Sequence, residues 1–131
     1  MSKKNYDKQT ELKIELGKLI SEGRNKKNFS LRFFSKLIDI PSSNLVYLEK
    51  GRNVPSPEVY ERIINVLEPE NKAHKKMDQL YSAIRRLPPP DICNVILKNV
   101  GIEDVIRACD IKKLSPSQIA QLKQYILSIN N

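Results

Sequence analysis

The stretch LRFFSKLIDIPSSNLVYLEK, residues 31–50, decides the fold of this chain. Its first apolar residues recur at three- and four-residue steps, which predicts a short helix with one buried face. The residues of that face are Leu31, Phe34, Leu37 and Ile38. The run at 39–41 breaks this helix, Leu45 and Leu48 face inward from a second one, and Ser35 is small where the two cross. Because the turn is so brief, the helices pack at a steep angle and leave the outer face of the second uncovered.

That outer face carries side chains that can hydrogen-bond. Ser42, Ser43, Asn44 and Tyr47 project outward in this register, and none of them is acidic. Such groups can contact base edges or phosphates, so the stretch predicts a DNA-reading helix-turn-helix. Val46 also points outward, where it either touches a thymine methyl group or packs at the edge of the domain. Use of the same geometry in an adaptor that does not bind DNA stays open as an alternative.

Helical signals continue on both sides of this motif. A first helix is predicted from Thr10 to Lys27, and Ser30 is a natural N-cap for the next one. Gly51 ends the second helix of the motif in a left-handed conformation. The run Ser56-Pro57-Glu58 marks the start of a further helix, which Pro69 stops.

Residues 70–131 predict a small helical C-terminal region. A helix over 71–86 is followed by the breaker LPPPD at 87–91 and by a helix over 92–100. Gly101 interrupts that helix, the helical pattern continues over 105–108, and a final helix begins at Ser115-Pro116. The final helix has an apolar stripe made by Ile119, Leu122, Ile126 and Ile129. Because this stripe exceeds what one thin layer of helices needs, the region is predicted to dimerise.

The composition favours a polyanionic partner and excludes several classes of site. The 131 residues carry a net charge of +8, which is divided equally: residues 1–69 hold 13 basic against 9 acidic residues, and residues 70–131 hold 10 against 6. This balance alone does not separate nucleic acid from an acidic membrane as the partner. No paired carboxylates, glycine-rich phosphate loop or catalytic constellation is present, so the sequence predicts no enzyme and no cofactor. The only histidine, His74, lies in a polar stretch, and no CxxC motif occurs, so no metal site is expected. Cys93 and Cys109 are interpreted as small core residues.

No apolar run approaches the ~20 residues that span a bilayer, and no signal-type core follows the N-terminal charges. We therefore expect a soluble, cytoplasmic protein without a membrane partner. Lys3, Lys4 and Lys8 form a basic arm over residues 1–9, which is either a solvated tail or a segment that follows DNA. The expected organisation is this arm, a DNA-binding domain over 10–69, and the helical region over 70–131.

Residues 17–69 resemble the five-helix DNA-binding domain of lambda-repressor and Cro-type regulators, the xenobiotic-response-element group. The resemblance is carried by Arg24 late in the first helix, Glu49 in LEKG, Gly51, and the Pro55-Ser56 pair. Two positions depart from the family pattern. Asp39 replaces the usual glycine of the turn, and Pro41 replaces the usual capping Ser or Thr, so that Ser42 would cap instead.

The resemblance implies an all-α fold and a set of site residues. Ser42, Ser43, Asn44 and Tyr47 would contact bases, and Ser30, Arg52 and Asn53 would contact phosphates. Arg24 and Glu49 would form a structural ion pair.

The leading hypothesis is a sequence-specific regulator of transcription, a repressor that binds a palindromic operator as a homodimer. The alternative is an antitoxin or other regulator whose residues 87–131 bind a second protein. The sequence does not identify the operator or an effector.

Overall fold

The computed structural model describes the backbone of residues 3–130 and the side chains of residues 8–130. Within these bounds the chain forms eight helices and no strand, so the all-α prediction is confirmed. The helices are α1 (Lys3–Lys26), α2 (Leu31–Leu37), α3 (Ser42–Glu49), α4 (Pro57–Leu67), α5 (Asn71–Arg85), α6 (Pro90–Lys98), α7 (Ile102–Ile111) and α8 (Pro116–Ser128). None of these helices combines the length and the apolar character that crossing a membrane requires.

The chain divides into two compact units, residues 1–91 and residues 92–131. In the first unit, α1 packs on α3, α4 and α5, and α2 packs on α3. The buried apolar side chains come from all five of its helices, because each presents a stripe of apolar residues at three- and four-residue steps. They are Leu16, Ile20, Phe34, Ile38, Leu45, Leu48, Tyr60, Ile63, Leu67, Met77, Leu80 and Tyr81.

The first helix begins earlier than the sequence pattern predicts. α1 starts at Lys3 rather than at Thr10, so it begins inside the segment predicted as a basic arm, residues 1–9. Residues 3–9 contain no glycine or proline, and lysine and glutamine are good helix formers, so the helix propagates toward the N-terminus. The side chains of Lys3 and Lys4 lie outside the described part, and Lys8 is exposed.

The fifth helix belongs to the first unit, which therefore extends past the boundary at residue 69 that the sequence predicts. The Tyr60 and Tyr81 rings stack with centroids 4.0 Å apart and planes 9° from parallel. The Tyr60 hydroxyl donates to Asp78 Oδ1 (2.6 Å), and the Tyr81 hydroxyl donates to the Pro55 carbonyl (3.0 Å). Burial raises the pKa of both hydroxyls. These contacts join α5 to α4 and to the loop before α4, and the hydrophobic pattern of the sequence does not predict them.

The turn between α2 and α3 contains the two residues at which the sequence departs from the pattern of lambda-repressor and Cro-type regulators. Asp39 adopts φ 55°, the left-handed conformation that aspartate tolerates better than most residues. Pro41 is the N-cap of α3, and no side chain caps that helix, so the expected cap from Ser42 is absent. Ser42 is instead the first helical residue, and its hydroxyl lies 2.9 Å from that of Ser35. Arg62 Nη1 donates to the Ile38 carbonyl (3.1 Å) and so holds the end of α2.

The second unit has well-formed helix ends but no buried residue. α6 begins at Pro90, inside the predicted breaker, because proline is tolerated at the first position of a helix. Gly101 (φ 91°) precedes α7, and Ser115 and Gln118 form a capping box at α8. No residue of α6, α7 or α8 is buried. Cys93 and Cys109 are only partly buried, which corrects their interpretation as core residues.

Candidate nucleic-acid interface

The outer face of α3 is exposed and uncharged. Ser42, Ser43, Asn44 and Tyr47 are exposed on this helix, whereas Leu45 and Leu48 are buried beneath it. Val46, which the sequence places outward, is half-buried at the edge of this face. The four exposed side chains present hydroxyl and amide groups, which form hydrogen bonds without carrying a charge. The four residues predicted to contact bases therefore share one solvent-facing surface, which we call the α3 face.

The end of α3 holds an arginine beside this face. Gly51, with φ 74°, is the left-handed residue after the helix. Its N–H donates to the Leu48 carbonyl (3.1 Å), and the N–H of Arg52 donates to the Tyr47 carbonyl (2.9 Å). These two bonds make a Schellman motif, which fixes the direction in which the chain leaves the helix. The Arg52 guanidinium carbon consequently lies 6.0 Å from the centre of the Tyr47 ring, within range of a cation–π contact.

Two glycines allow α1 to cross the end of α3 at very close range. A Cβ on Gly17 would lie 2.4 Å from the Leu48 carbonyl oxygen and 2.6 Å from that of Glu49. A Cβ on Gly51 would lie 2.5 Å from Ile14 Cα. All of these are backbone atoms, so no side-chain rotation makes room for a larger residue. The crossing sets the position of the end of α3, including Tyr47.

The structure brings Arg24 and Glu49 together in a bidentate ion pair. Arg24 Nε donates to Glu49 Oε2 (2.8 Å), and Nη2 donates to Oε1 (3.0 Å). Arg24 Nη1 also donates to the Phe29 carbonyl (2.9 Å). The two side chains are only 13% and 10% exposed. This pair links the C-terminal turn of α1 to the last residue of α3 and satisfies a charge that would otherwise be largely buried alone.

The residues predicted to contact phosphates are all exposed, and they lie at helix ends or in loops. The Ser30 hydroxyl accepts a bond from the Phe33 N–H (3.0 Å) as the N-cap of α2, which leaves its own proton available to donate. Asn53 lies with Asn44 on the wall of an open cleft of about 250 Å³ between α3 and the start of α4. Arg52 is exposed in the same loop. The three residues can all donate a hydrogen bond to an anionic oxygen.

The charges around the α3 face are predominantly basic. Arg32 and Lys36 are exposed on α2, and Lys50 and Arg52 are exposed just beyond α3. None of these four side chains has an ion-pair partner in the part of the chain that the structure describes. Glu49 is neutralised by its arginine partner, and Asp39, exposed in the turn before α3, offsets only part of the charge of the four cations. A neutral, hydrogen-bonding surface is therefore flanked by unpaired cations.

One contact at the α3 face could not be read from the sequence. Ser35 is 2% exposed, and it is the only buried polar residue in the part of the chain that the structure describes. Its Oγ donates to the Arg32 carbonyl (2.8 Å) and lies 2.9 Å from Ser42 Oγ. The small size of Ser35 indicates a close crossing of α2 and α3, but only the packed structure aligns the two hydroxyls.

Across residues 8–130, no three His, Cys, Asp or Glu side chains are grouped so that they could hold a metal ion. Comparison of the chain with protein-family models, with curated proteins and with solved structures gave no match.

Proposed function

We propose that the chain is a sequence-specific regulator of transcription that binds double-stranded DNA, and that it acts as a homodimer on a palindromic operator. The observation that carries this proposal is the α3 face, on which Ser42, Ser43, Asn44 and Tyr47 are exposed and uncharged between unpaired cations. Neutral hydroxyl and amide groups match the donor and acceptor pattern of the major groove, and flanking cations match phosphates. A bound dimer excludes other proteins from the same DNA, so repression needs no further contact.

We further propose that α1–α5 follow the five-helix arrangement of lambda-repressor and Cro-type domains. Three features at the positions that carry the resemblance support this proposal. Arg24 and Glu49 pair between α1 and α3, Gly51 turns the chain after α3, and α2 packs on α3 through Ser35. In that arrangement the N-terminal residues of α3 face base edges.

The second unit supports the homodimer. It exposes twelve large apolar side chains, each at 43% or more, and buries no residue. They are Ile92, Val95, Leu97, Val100, Val105, Ile106, Ile111, Ile119, Tyr125, Ile126, Leu127 and Ile129. Helices that expose this much apolar surface need a partner, since apolar burial is the main term that stabilises a packed fold.

A second copy of the chain is the occupant that fits this surface. The twelve side chains expose on the order of 1,000 Å² of apolar surface, which meets the ~800 Å² that each partner contributes to a standard interface. Residues 92–131 hold five basic and three acidic residues, so two copies repel only weakly. Arg107 forms ion pairs with Glu103 and Asp104 of its own helix, so three of the eight charged residues of this unit are already paired within it. Two recognition helices joined in this way gain affinity by binding both half-sites at once.

The same apolar surface favours one second candidate, a regulator whose C-terminal helices bind a different protein. That reading predicts a monomer that becomes a mixed complex, whereas the homodimer predicts self-association of the pure chain. Sedimentation of the purified protein separates the two.

The first prediction concerns contacts to DNA. We expect selection from random duplexes to yield a palindromic operator. Asn44→Ala or Tyr47→Ala should each weaken operator binding by roughly 1–3 kcal/mol and leave the salt dependence unchanged, because each removes a neutral group. Arg52→Ala should weaken all duplexes alike and lower the slope of log affinity against log salt by about one per site. The measurement is binding by fluorescence anisotropy at several salt concentrations.

Two variants serve as controls for these contacts. Lys75→Ala removes an exposed cation from α5, and it should leave both affinity and salt slope close to those of the parent. Tyr47→Phe keeps the ring that lies near Arg52 and removes only the hydroxyl. If Asn44→Ala and Tyr47→Ala both bind the operator as tightly as the parent, the α3 face does not read DNA.

The second prediction concerns the dimer. Ile106→Glu combined with Ile126→Glu places charges on the apolar surface of the second unit and should convert the dimer to a monomer in light scattering. Operator affinity should fall by about a hundredfold, since the advantage of binding two linked half-sites is lost. Gln124→Glu adds the same charge to an exposed polar position of α8 and should leave the dimer intact. A double variant that stays dimeric would locate the interface elsewhere.

A further inference from the structure

The hydroxyl groups of Ser35 and Ser42 lie in a short series of hydrogen bonds, and the number of protons they carry determines which hydroxyl donates to the other. Ser35 Oγ lies 2.8 Å from the Arg32 carbonyl oxygen, which can only accept, so the single Ser35 proton is used in that bond. The remaining contact, 2.9 Å between Ser35 Oγ and Ser42 Oγ, is then a hydrogen bond only if Ser42 donates. The Ser42 proton therefore points inward, toward the crossing of α2 and α3.

This direction leaves Ser42 with one kind of hydrogen-bonding group on the outer surface. Ser42 is exposed at the first position of α3, and its outward-facing oxygen lone pairs can only accept. Turning the Ser42 proton outward would break the hydrogen bond to Ser35, and Ser35 is too buried (2% exposed) for water to replace that bond. The packed crossing thus holds the Ser42 hydroxyl as an acceptor.

Resting on the proposed DNA-binding function, we infer that Ser42 is a specificity-determining residue, which selects a base with an exocyclic amino group in the major groove. Ser35 is the positioning residue that gives Ser42 this preference. Adenine N6 and cytosine N4 are donors on the major-groove edge, whereas guanine O6 and N7 and thymine O4 are acceptors. A hydroxyl that can only accept forms a hydrogen bond with adenine N6 or cytosine N4. Opposite guanine O6 and N7 or thymine O4 it forms none, because two acceptors face each other. A freely rotating serine hydroxyl makes no such distinction.

The test compares base preference in the full chain and three variants. An operator is selected from random duplexes with the parent protein, and affinities are then measured for all four bases at each position of a half-site. At one position we expect the parent to favour adenine and cytosine over guanine and thymine by about tenfold, the value of one net hydrogen bond. Ser42→Ala should abolish this preference at that position alone.

Ser35→Ala is the decisive variant, because it leaves every residue of the α3 face unchanged. Alanine keeps the small size needed at the crossing, frees the Ser42 proton, and should reduce the tenfold preference to about threefold or less. Affinity for the selected operator and the melting temperature should stay close to those of the parent. Ser43→Ala removes a neighbouring hydroxyl that takes no part in the bonds between Ser42, Ser35 and Arg32, so it should keep the base preference at the Ser42 position.

The outcomes separate this inference from the proposed function. If no sequence-specific operator is recovered, the proposed function fails and the inference fails with it. If an operator is recovered and Ser35→Ala keeps the full base preference, or if no position of the half-site depends on Ser42, only the inference is overturned.

Discussion

Replacing Gly51 with alanine is expected to lower the free energy of unfolding of the first unit by about 3 kcal/mol or more. Two penalties combine at this residue. Its φ of 74° is left-handed, which a side chain disfavours, and the new Cβ would lie 2.5 Å from Ile14 Cα and 2.6 Å from Ile14 N. Because both neighbours are backbone atoms of α1, relief requires α1 to move away from α3. That movement would also displace Arg52 from its place beside Tyr47.

Thermal unfolding of the full chain, followed by circular dichroism, measures this effect. A loss of 3 kcal/mol corresponds to a fall in Tm of about 12 °C or more for a unit of this size. Gly17→Ala introduces a similar backbone clash without a left-handed φ, so it should also destabilise strongly, by a smaller amount. Gly23→Ala is the matched control, since its Cβ meets only the flexible end of Leu67 and should cost about 1 kcal/mol or less. A Gly51 variant as stable as the Gly23 variant would disprove the close crossing.

Replacing Arg24 with alanine is expected to destabilise the first unit by about 3–5 kcal/mol. The variant leaves the Glu49 carboxylate, whose side chain is 10% exposed, without its two donors, and it removes the bond to the Phe29 carbonyl. A largely buried charge without a partner is costly because it loses hydration and gains nothing in exchange. Chemical denaturation of the full chain gives the change in free energy.

Two controls define the origin of that loss. Lys76→Ala breaks an ion pair with Glu15 in which both side chains are about half exposed, and it should cost well under ~1 kcal/mol. Arg24→Met combined with Glu49→Leu removes both charges and should recover most of the stability of the parent. If the proposed function holds, Arg24→Ala should still bind DNA well below its melting temperature. If it instead loses DNA binding at unchanged stability, Arg24 contacts the nucleic acid.

Much of the candidate site could be predicted from the sequence because the relevant directions are local. Side chains in a helix follow one another at a constant rotation, so burying Leu45 and Leu48 forces Asn44 and Tyr47 outward. The left-handed residue at Gly51 is equally local, since its bonds reach only three to five residues along the chain. The ion pair of Arg24 and Glu49 was expected only from resemblance to a family.

The remaining features depend on which surfaces meet, and no local pattern contains that information. The periodicity of α5 predicts a buried face but not its partner, and the stacking of Tyr60 on Tyr81 decides that it belongs to the first unit. Likewise, the apolar stripes of α6–α8 resemble core stripes, yet none of their residues is buried within the chain.

The sequence by itself determined the all-α fold, the position of the turn at Asp39, and the exposed face of α3, because backbone propensity and helical periodicity act over a few residues. The tertiary structure alone decided the direction of the Ser42 hydroxyl and the need for glycine at position 17. Both depend on atoms of different helices that come within about 3 Å of each other, at hydrogen-bonding or clashing range. The sequence shows which residues are small, whereas only the packed helices show which atoms those small residues bring into contact.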